Sequence, residues 1–211
     1  MKPVAVYTAL FGSFFSYAEP APGGGFDAFV FSDRKVGVTW AMKKTARHVE
    51  EYYKIKSHLF FGPWEFSVWV AGALKIVNAD ISALVEKYLA DADLAVLAHP
   101  RRDCLYKEAE ARAKAGDTGF RIRDQMTRYM DAGYPPHNGL AETDLILRRN
   151  GSNDLRHFEE LWWAEVVKGA RASLSFNFVA WKMGLKYAII PGTLASQGFM
   201  VREMRRERET V

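Results

Sequence analysis

Short apolar segments and longer amphipathic segments alternate along the chain. The apolar segments are rich in residues that favour extended structure, and they are short enough to be buried strands. They lie at residues 4–10, 28–32, 38–42, 66–70, 94–97, 145–147 and 186–190. Segments with helical spacing of apolar residues lie mostly between them, at 47–56, 80–88, from 105 onward, and at 119–132, 154–168 and 173–183. Strands that alternate with helices predict an α/β protein whose sheet is flanked by helices.

The composition indicates one ordinary globular domain. Apolar residues make up 49% of the 211 residues and charged residues 26%, which is typical of a chain that buries a core. The glycine- and proline-rich segment 20–25 is too short to separate two domains. We therefore predict a single domain over residues 1–200, followed by a charged C-terminal tail at 201–211 whose arginines and glutamates nearly balance.

The remaining bulk properties bear on compartment and partners. The net charge of +4 is too small to predict nucleic-acid binding, although an aromatic content of 14% leaves stacking on a base or a sugar open. The single cysteine, Cys104, cannot form an internal disulfide and fits a reducing compartment. No segment approaches the roughly 20 apolar residues of a membrane-spanning helix. We therefore expect a cytoplasmic protein.

A dense group of polar residues follows the predicted strand at 94–97. Pro100 ends regular strand pairing, and the residues around it include His99, Arg101, Arg102, Asp103, Cys104, Tyr106 and Glu108. A strand, a polar turn and a helix place functional groups at the carboxyl edge of an open α/β sheet, where ligands bind. Asp103 is equally suited to cap the helix, and the arginines could pair with surface acids, so this segment alone leaves both interpretations open.

The first two predicted strands are also followed by residues suited to a nucleotide. Thr8 and Gly12 lie at the end of the first strand, where a glycine permits close approach of a ligand. Asp33 follows the second strand and could accept hydrogen bonds from a ribose or a base edge. The G-x-G-x-x-G fingerprint is absent, which argues against an ordinary dinucleotide fold. Asp33 could equally belong to a plain turn.

Several segments form a series with a recognisable order: YTALFG, DAFVFSD, KSHLFF, SVWVAG, HPRRDCLYKEAEA, QMTRYMDAGYP, GLAETDLILRRN, LWWAEV and RASLSFNFVAWKMGLKYAIIPG. They extend from Tyr7 to about Gly192. The series resembles the glycosyltransferase-like family known from the plant proteins TOD and MUCI. The segments around residues 99–109 and 139–148 carry the most specific part of the resemblance.

The resemblance implies a GT-A-type, Rossmann-like fold with a central mixed, mostly parallel sheet flanked by helices. It also implies a glycosyltransferase, which binds a nucleotide-sugar donor and transfers the sugar to an acceptor hydroxyl on a glycan or other polymer. Mn²⁺ or Mg²⁺ would then be the expected cofactor, held by an acidic pair at a strand end, because hard cations need oxygen ligands.

The chain departs from the family pattern where such a metal would bind. Family members typically read Trp-Ile/Val-Asp-Gly-Asn where this chain reads Trp69-Val70-Ala71-Gly72-Ala73, and Arg-Asp-Gln where it reads Arg171-Ala172-Ser173. Asp91 and Asp93 precede their strand and would lie at the wrong edge of the sheet. We therefore predict no metal site. Cationic side chains would neutralise a donor diphosphate instead, and the candidates are Lys75, Arg101, Arg102 and Arg171.

Glu142, Asp144 and Asp103 are the predicted catalytic residues, and the first two follow a Gly-Leu turn from which a carboxylate could deprotonate an acceptor. The predicted substrate-binding residues are Thr8, Gly12, Asp33, His58, Trp69, Lys75, His99, Arg101, Arg102, Arg148 and Arg171. Two other functions stay open. The chain could be a catalytically degenerate nucleotide- or sugar-binding protein, or a transferase that acts on modified nucleic-acid bases.

Overall fold

A computed structural model of the chain describes residues 3–11, 25–32, 46–72, 74–76, 79–117, 119–168 and 171–201. The strands are β1 Val4–Leu10, β2 Asp27–Ser32, β3 Phe66–Val70, β4 Leu74–Ile76, β5 Leu94–Ala98, β6 Ala141–Arg149, β7 Ala188–Ile190 and β8 Phe199–Val201. The helices are α1 Ala46–Ile55, α2 Ile81–Tyr88, α3 Leu105–Lys114, α4 Gly119–Asp131, α5 Asn153–Val167 and α6 Ala172–Met183. The predicted strand at 38–42 and nearly all of the predicted tail lie outside the described residues.

Six strands form one sheet in the order β2-β1-β3-β6-β5-β7. β1 pairs parallel with β2 and β3, and β5 pairs parallel with β7. β6 runs antiparallel to both of its neighbours, β3 and β5. The predicted α/β fold with a mixed, mostly parallel sheet flanked by helices is therefore confirmed. Because β6 is reversed, its amino end lies at the same edge as the carboxyl ends of the parallel strands.

The sequence pattern underestimated β6. Only residues 145–147 were predicted as a strand, because the preceding residues Glu142, Thr143 and Asp144 are polar. The structure extends this strand to Ala141–Arg149. Pairing with a neighbour on each side satisfies the backbone groups of these polar residues, so the predicted loop is the first part of a central strand.

Alternation along the strands divides the core into two layers. On β1, Ala5, Tyr7 and Ala9 face a layer that contains α1, α3, α4, α5 and α6. Val4 and Val6 face the other layer, which α2 and the strand β8 cover. The period-2 alternation of a strand buried on both faces accounts for this division. Within the described residues, no helix is long and apolar enough to cross a lipid bilayer.

Several helices begin and end as their sequences predict. The Asp80 side chain accepts a hydrogen bond from the backbone N–H of Ala83 (3.0 Å), and Ser152 caps α5 in the same way. Gly184 ends α6 in the left-handed conformation, with φ 64°. Asp103 does not cap α3, which corrects that interpretation. Cys104 occupies the N-cap position without a side-chain hydrogen bond and is buried.

A buried ion pair joins the sheet to the helical layer. The Arg148 Nε atom on β6 lies 2.9 Å from Oε1 of Glu159 on α5, and both side chains are almost completely buried. Arg148 also donates to the Tyr7 hydroxyl (2.9 Å) and to the Lys54 carbonyl (2.7 Å). Ser57 donates to the same Glu159 carboxylate (2.7 Å). This network connects β1, α1, β6 and α5.

Two residues predicted to bind substrate belong to this network. Arg148 is fully buried near the amino end of β3, opposite Ser67, and its guanidinium is taken up by core partners. His58 pairs with Glu159 through Nδ1 (2.5 Å) and with Glu160 through Nε2 (3.1 Å). The structure removes both from the set of substrate-binding candidates, because their polar atoms hold the fold together.

We expect Glu159→Gln to lower the free energy of unfolding by about 3–5 kcal/mol, because it leaves the buried charge of Arg148 without its counter-ion. Glu110→Gln on α3 is the matched control. Glu110 and its partner Lys107 are both exposed, so the loss of this pair costs about 0–1 kcal/mol. Urea denaturation of both variants measures the difference. Equal effects of the two substitutions would contradict a special role for the buried pair.

Candidate active site at the carboxyl edge of the sheet

Three neighbouring strands bring the central part of the site together. β5 ends at Ala98 and leads into the turn 99–103, while the reversed β6 begins beside it with Ala141 and Glu142. The His99 N–H donates to the Leu140 carbonyl (2.7 Å) and the Ala71 N–H to the Asp144 carbonyl (2.8 Å). The predicted catalytic carboxylates of β6 therefore lie between the ends of β3 and β5.

A bulge in β6 reshapes this edge. Val96 of β5 is paired with Ile146, but the next residue, Leu97, is paired with Glu142, so residues 143–145 have no partner on β5. Bulges bend a strand and redirect its side chains, and they are frequent next to active sites. Here the bulge carries Thr143 and Asp144.

His99 holds the turn after β5. Its Nδ1 atom accepts hydrogen bonds from the N–H groups of Arg101 (3.3 Å) and Arg102 (3.1 Å), and its Nε2 atom lies 3.4 Å from Oε2 of Glu108. Burial lowers the pKa of His99, which favours a neutral ring with its proton on Nε2. Both ring nitrogens are therefore engaged within the protein. His99 therefore positions the turn, and its predicted contact with a donor diphosphate stays a prediction.

The arginines around this turn differ in how far they are neutralised. Arg102 and Arg112 both donate to the carboxylate of Glu108, each at 2.7 Å. Arg171 is paired with Asp117. The Arg101 side chain is exposed, and its guanidinium has no ionic partner among the residues that the structure describes. Of the predicted phosphate-binding arginines, Arg101 is thus the one that presents a free charge at this edge.

Glu142 lies in an environment that favours its neutral form. Burial raises the pKa of the Glu142 carboxyl, and the charge of Asp144 raises it further. Lys54 and Arg112 oppose this shift. A carboxylate whose pKa lies above its ordinary range is better matched to proton transfer near neutral pH than an exposed one.

Lys54 is a member of the site that sequence reasoning missed. It lies in the last turn of α1, and its Nζ atom donates to Oγ1 of Thr143 (2.7 Å). Burial lowers the pKa of Lys54, whereas the charges of Asp144, Glu51 and Glu142 raise it. In the sequence, Lys54 is a lysine between Tyr53 and Ile55 on a predicted amphipathic helix. That pattern does not show which strand of the sheet its side chain reaches.

Asp103 is exposed and pairs with a histidine of the loop before β6. Its Oδ1 atom lies 2.9 Å from Nδ1 of His137. This hydrogen bond lowers the pKa of Asp103, so the carboxylate is a weaker base than Glu142. His137 has a positive φ of 55°, a conformation that is uncommon for a residue other than glycine. Sequence reasoning had assigned no role to His137.

The structure places the other predicted residues as follows. Trp69 is buried in the core against Tyr7, with ring centroids 5.3 Å apart, and is not available to a sugar. Thr8 is also buried, and its Oγ1 atom has no hydrogen-bond partner within the described ranges. Lys75 lies on β4, but its side chain is outside the description, as are Gly12 and Asp33.

The residues at this edge do not fit a divalent metal. Ala71 follows β3 and lies next to Asp144, and Ala172 begins α6, so neither position supplies an oxygen ligand from its side chain. The described part of the chain contains no group of three or more His, Cys, Asp or Glu side chains that could hold a metal ion. Asp93 lies at the opposite edge, where Arg149 Nε approaches its Oδ1 atom at 3.3 Å. This edge departs from the metal site that the family resemblance implies.

Comparison with known proteins agrees with the family resemblance. Curated proteins yield no match. Among solved structures, the chain is similar to the apo form of mouse xyloside xylosyltransferase 1, with a TM-score of 0.40 and 12% sequence identity. That alignment covers 80% of this chain and 63% of the mouse protein, so the chain spans less than two thirds of its length. The model of the TOD1/MUCI70 glycosyltransferase-like domain matches residues 34–201, which is most of the sequence. The chain therefore belongs to the TOD1/MUCI70 glycosyltransferase-like domain family.

Proposed function

We propose that this protein transfers a sugar from a nucleotide-sugar donor to an acceptor hydroxyl at the carboxyl edge of its sheet. One observation carries the proposal: adjacent strands β5 and β6 bring a cationic turn and two carboxylates to the same edge. Sugar transfer needs both, because an anionic leaving group must be stabilised while the acceptor loses a proton. Membership of a glycosyltransferase-like family supports the same reaction class.

In this proposal the arginines of the turn bind the donor diphosphate. Arg101 supplies a guanidinium that has no partner in the described part of the chain, and Arg102 has donors beyond the one that it gives to Glu108. Guanidinium groups match phosphate oxygens in a bidentate way. They would stabilise the negative charge that develops as the nucleoside diphosphate leaves.

Glu142 is the proposed base. As a new bond forms between the acceptor oxygen and the anomeric carbon, the bond between that carbon and the diphosphate oxygen breaks. Its electron pair departs with the phosphate, and the acceptor proton passes to the carboxylate of Glu142. The neighbouring Asp144 would keep negative charge near the cationic sugar ring of the transition state.

A second candidate function is nucleotide-sugar binding without transfer. The observation that favours it is the pair of alanines, Ala71 and Ala172, at two positions where family members typically carry acids. Such a protein would bind the donor and leave it intact. The net charge of +4 is too small to favour a nucleic-acid acceptor, so we do not propose one.

Donor binding can be measured by titrating UDP-, GDP- and CMP-sugars into the protein by calorimetry, with and without Mn²⁺. We expect at least one of them to bind, and Arg101→Gln to weaken its affinity by about 10-fold, since a charge-assisted hydrogen bond contributes roughly 1.5–3 kcal/mol. Arg156→Gln is the matched control, because Arg156 is exposed on α5 beyond the opposite edge of the sheet.

The outcomes separate the two candidate functions. Binding followed by release of nucleoside diphosphate supports transfer, whereas binding with an intact donor supports the second function. If no nucleotide sugar binds under either condition, both are wrong. An unchanged affinity of the Arg101 variant would reject its role at the diphosphate.

We expect Glu142→Gln to change how stability depends on pH. The pKa of Glu142 in the folded protein lies above its ordinary value of 4.5, so the folded state holds this proton more tightly than the unfolded chain. Its contribution to stability is therefore complete below about pH 4.5 and is lost as pH rises through the folded pKa. The free energy of unfolding of the variant minus that of wild type should therefore be more positive at pH 7 than at pH 4.

Urea denaturation at the two pH values measures this change. Glu110→Gln is the control, since Glu110 is exposed on α3 and forms an exposed pair with Lys107. A wild-type pH dependence that survives in the Glu142 variant would show that this carboxyl is not the group responsible.

A further inference from the structure

We propose that the ammonium group of Lys54 takes the place of the divalent cation against the donor diphosphate, so that donor binding is independent of metal. The inference rests on the proposed function and names the cation that this site would use. It starts from the disagreement described above: a glycosyltransferase-like family member has no acids at the end of β3, yet a diphosphate leaving group still requires a counter-charge.

The backbone of Lys54 is fixed by the core. Its carbonyl accepts hydrogen bonds from Arg148 Nη2 (2.7 Å) and from the Tyr7 hydroxyl (3.3 Å), both of which are buried. These bonds fix the last turn of α1 to β1 and β6. The Lys54 side chain leaves this anchor and reaches the edge of the sheet, where Nζ donates to Thr143 Oγ1. A lysine held at both ends is pre-organised, so little conformational freedom is left to lose on binding.

The ammonium is linked through β6 to the strand end that lacks its acids. Thr143, its hydrogen-bond partner, belongs to the bulge of β6 between Glu142 and Asp144. The Asp144 carbonyl accepts a hydrogen bond from the N–H of Ala71, the residue that follows β3. Lys54 thus contacts β6, the strand that is paired with β3, and family members typically place an acidic residue just after β3.

The carboxylates around Lys54 have the arrangement expected around a resident cation. Asp144, Glu51 and Glu142 all interact favourably with its charge, and Arg148 is the cation that opposes it. In a metal-dependent site, acids hold the cation against the diphosphate from behind. Here the same kind of carboxylate group surrounds an ammonium that the protein itself provides.

The ammonium also has donors left for a ligand. It carries three N–H groups, and among the described residues only Thr143 accepts a hydrogen bond from it. The arginines Arg102, Arg112 and Arg171 are each already paired with Glu108 or Asp117. Lys54 is partly exposed, so phosphate oxygens can reach it.

The experiment uses the full chain and whichever UDP- or GDP-sugar binds the wild type most tightly, titrated by calorimetry in EDTA. We expect Lys54→Met to weaken this affinity by 10-fold or more, because it keeps the side-chain length and removes the charge. Lys54→Arg should bind within a few-fold of wild type. Lys186→Met is the matched control, since Lys186 is exposed just before β7, at the opposite edge.

A pH series provides a second measurement that does not depend on the stability of the methionine variant. The pKa of Lys54 is lower than its ordinary value of 10.5, so wild-type affinity should already fall as pH rises toward 10.5. An arginine keeps its charge over this range, so Lys54→Arg should show a flatter profile. The donor diphosphate itself does not titrate there.

The results distinguish this inference from the proposed function. If the wild type binds no nucleotide sugar with or without Mn²⁺, the proposed function itself fails. If the wild type binds but requires Mn²⁺, the role of Lys54 as the cation is overturned and the transferase proposal stands. The role of Lys54 is also overturned, and the transferase proposal also stands, if Lys54→Met binds as tightly as wild type or if the pH profiles of wild type and Lys54→Arg coincide.

Discussion

The buried ion pair between Arg148 and Glu159 is the interaction on which the rest of this structure depends. A guanidinium and a carboxylate removed from water are costly unless every donor and acceptor finds a partner. Arg148 lowers this cost through its ion pair with Glu159 and its hydrogen bonds to the Tyr7 hydroxyl and the Lys54 carbonyl, while Ser57 and the His58 N–H donate to Glu159. The pair thereby fixes α1 and α5 relative to the sheet, and the position of α1 decides where Lys54 points.

The reversed direction of β6 is the second constraint, and it governs the chemistry. In a wholly parallel sheet, residues 141–144 would lie at the amino edge, away from the turn after β5. Because β6 runs antiparallel between β3 and β5, its first residues meet the carboxyl ends of both neighbours. Glu142 and Asp144 come to face Lys54 from α1 and the arginine-bearing turn of β5. The bulge at 143–145 then frees Thr143 to bind the ammonium.

These two constraints explain how the site can differ from its family without losing its architecture. Ala71 and Ala172 remove acids from a strand end and a helix start, but the backbone hydrogen bond from Ala71 to Asp144 does not depend on a side chain. The edge therefore keeps its shape while its charge changes. Glu108 and Asp117 neutralise several arginines of the site, whereas Arg101 and Lys54 have no carboxylate hydrogen-bond partner among the described residues.

The sequence by itself determined the local elements and the order in which they follow each other. β1, β5, α2 and α5 could be predicted because strand and helix periodicity, together with the caps Asp80 and Ser152, act over a few residues. It also indicated that Asp93 lies at the wrong edge, since that follows from its position before a strand. Only the tertiary structure decided that Arg148 is a core residue, that His99 holds a turn, and that Lys54 belongs to the site. Arg148 depends on Tyr7 and Lys54, and Lys54 depends on Thr143, all of them 89 or more residues distant. His99 depends on the Leu140 carbonyl beside it, which the direction of β6 places there. Local sequence pattern does not encode such distant partners.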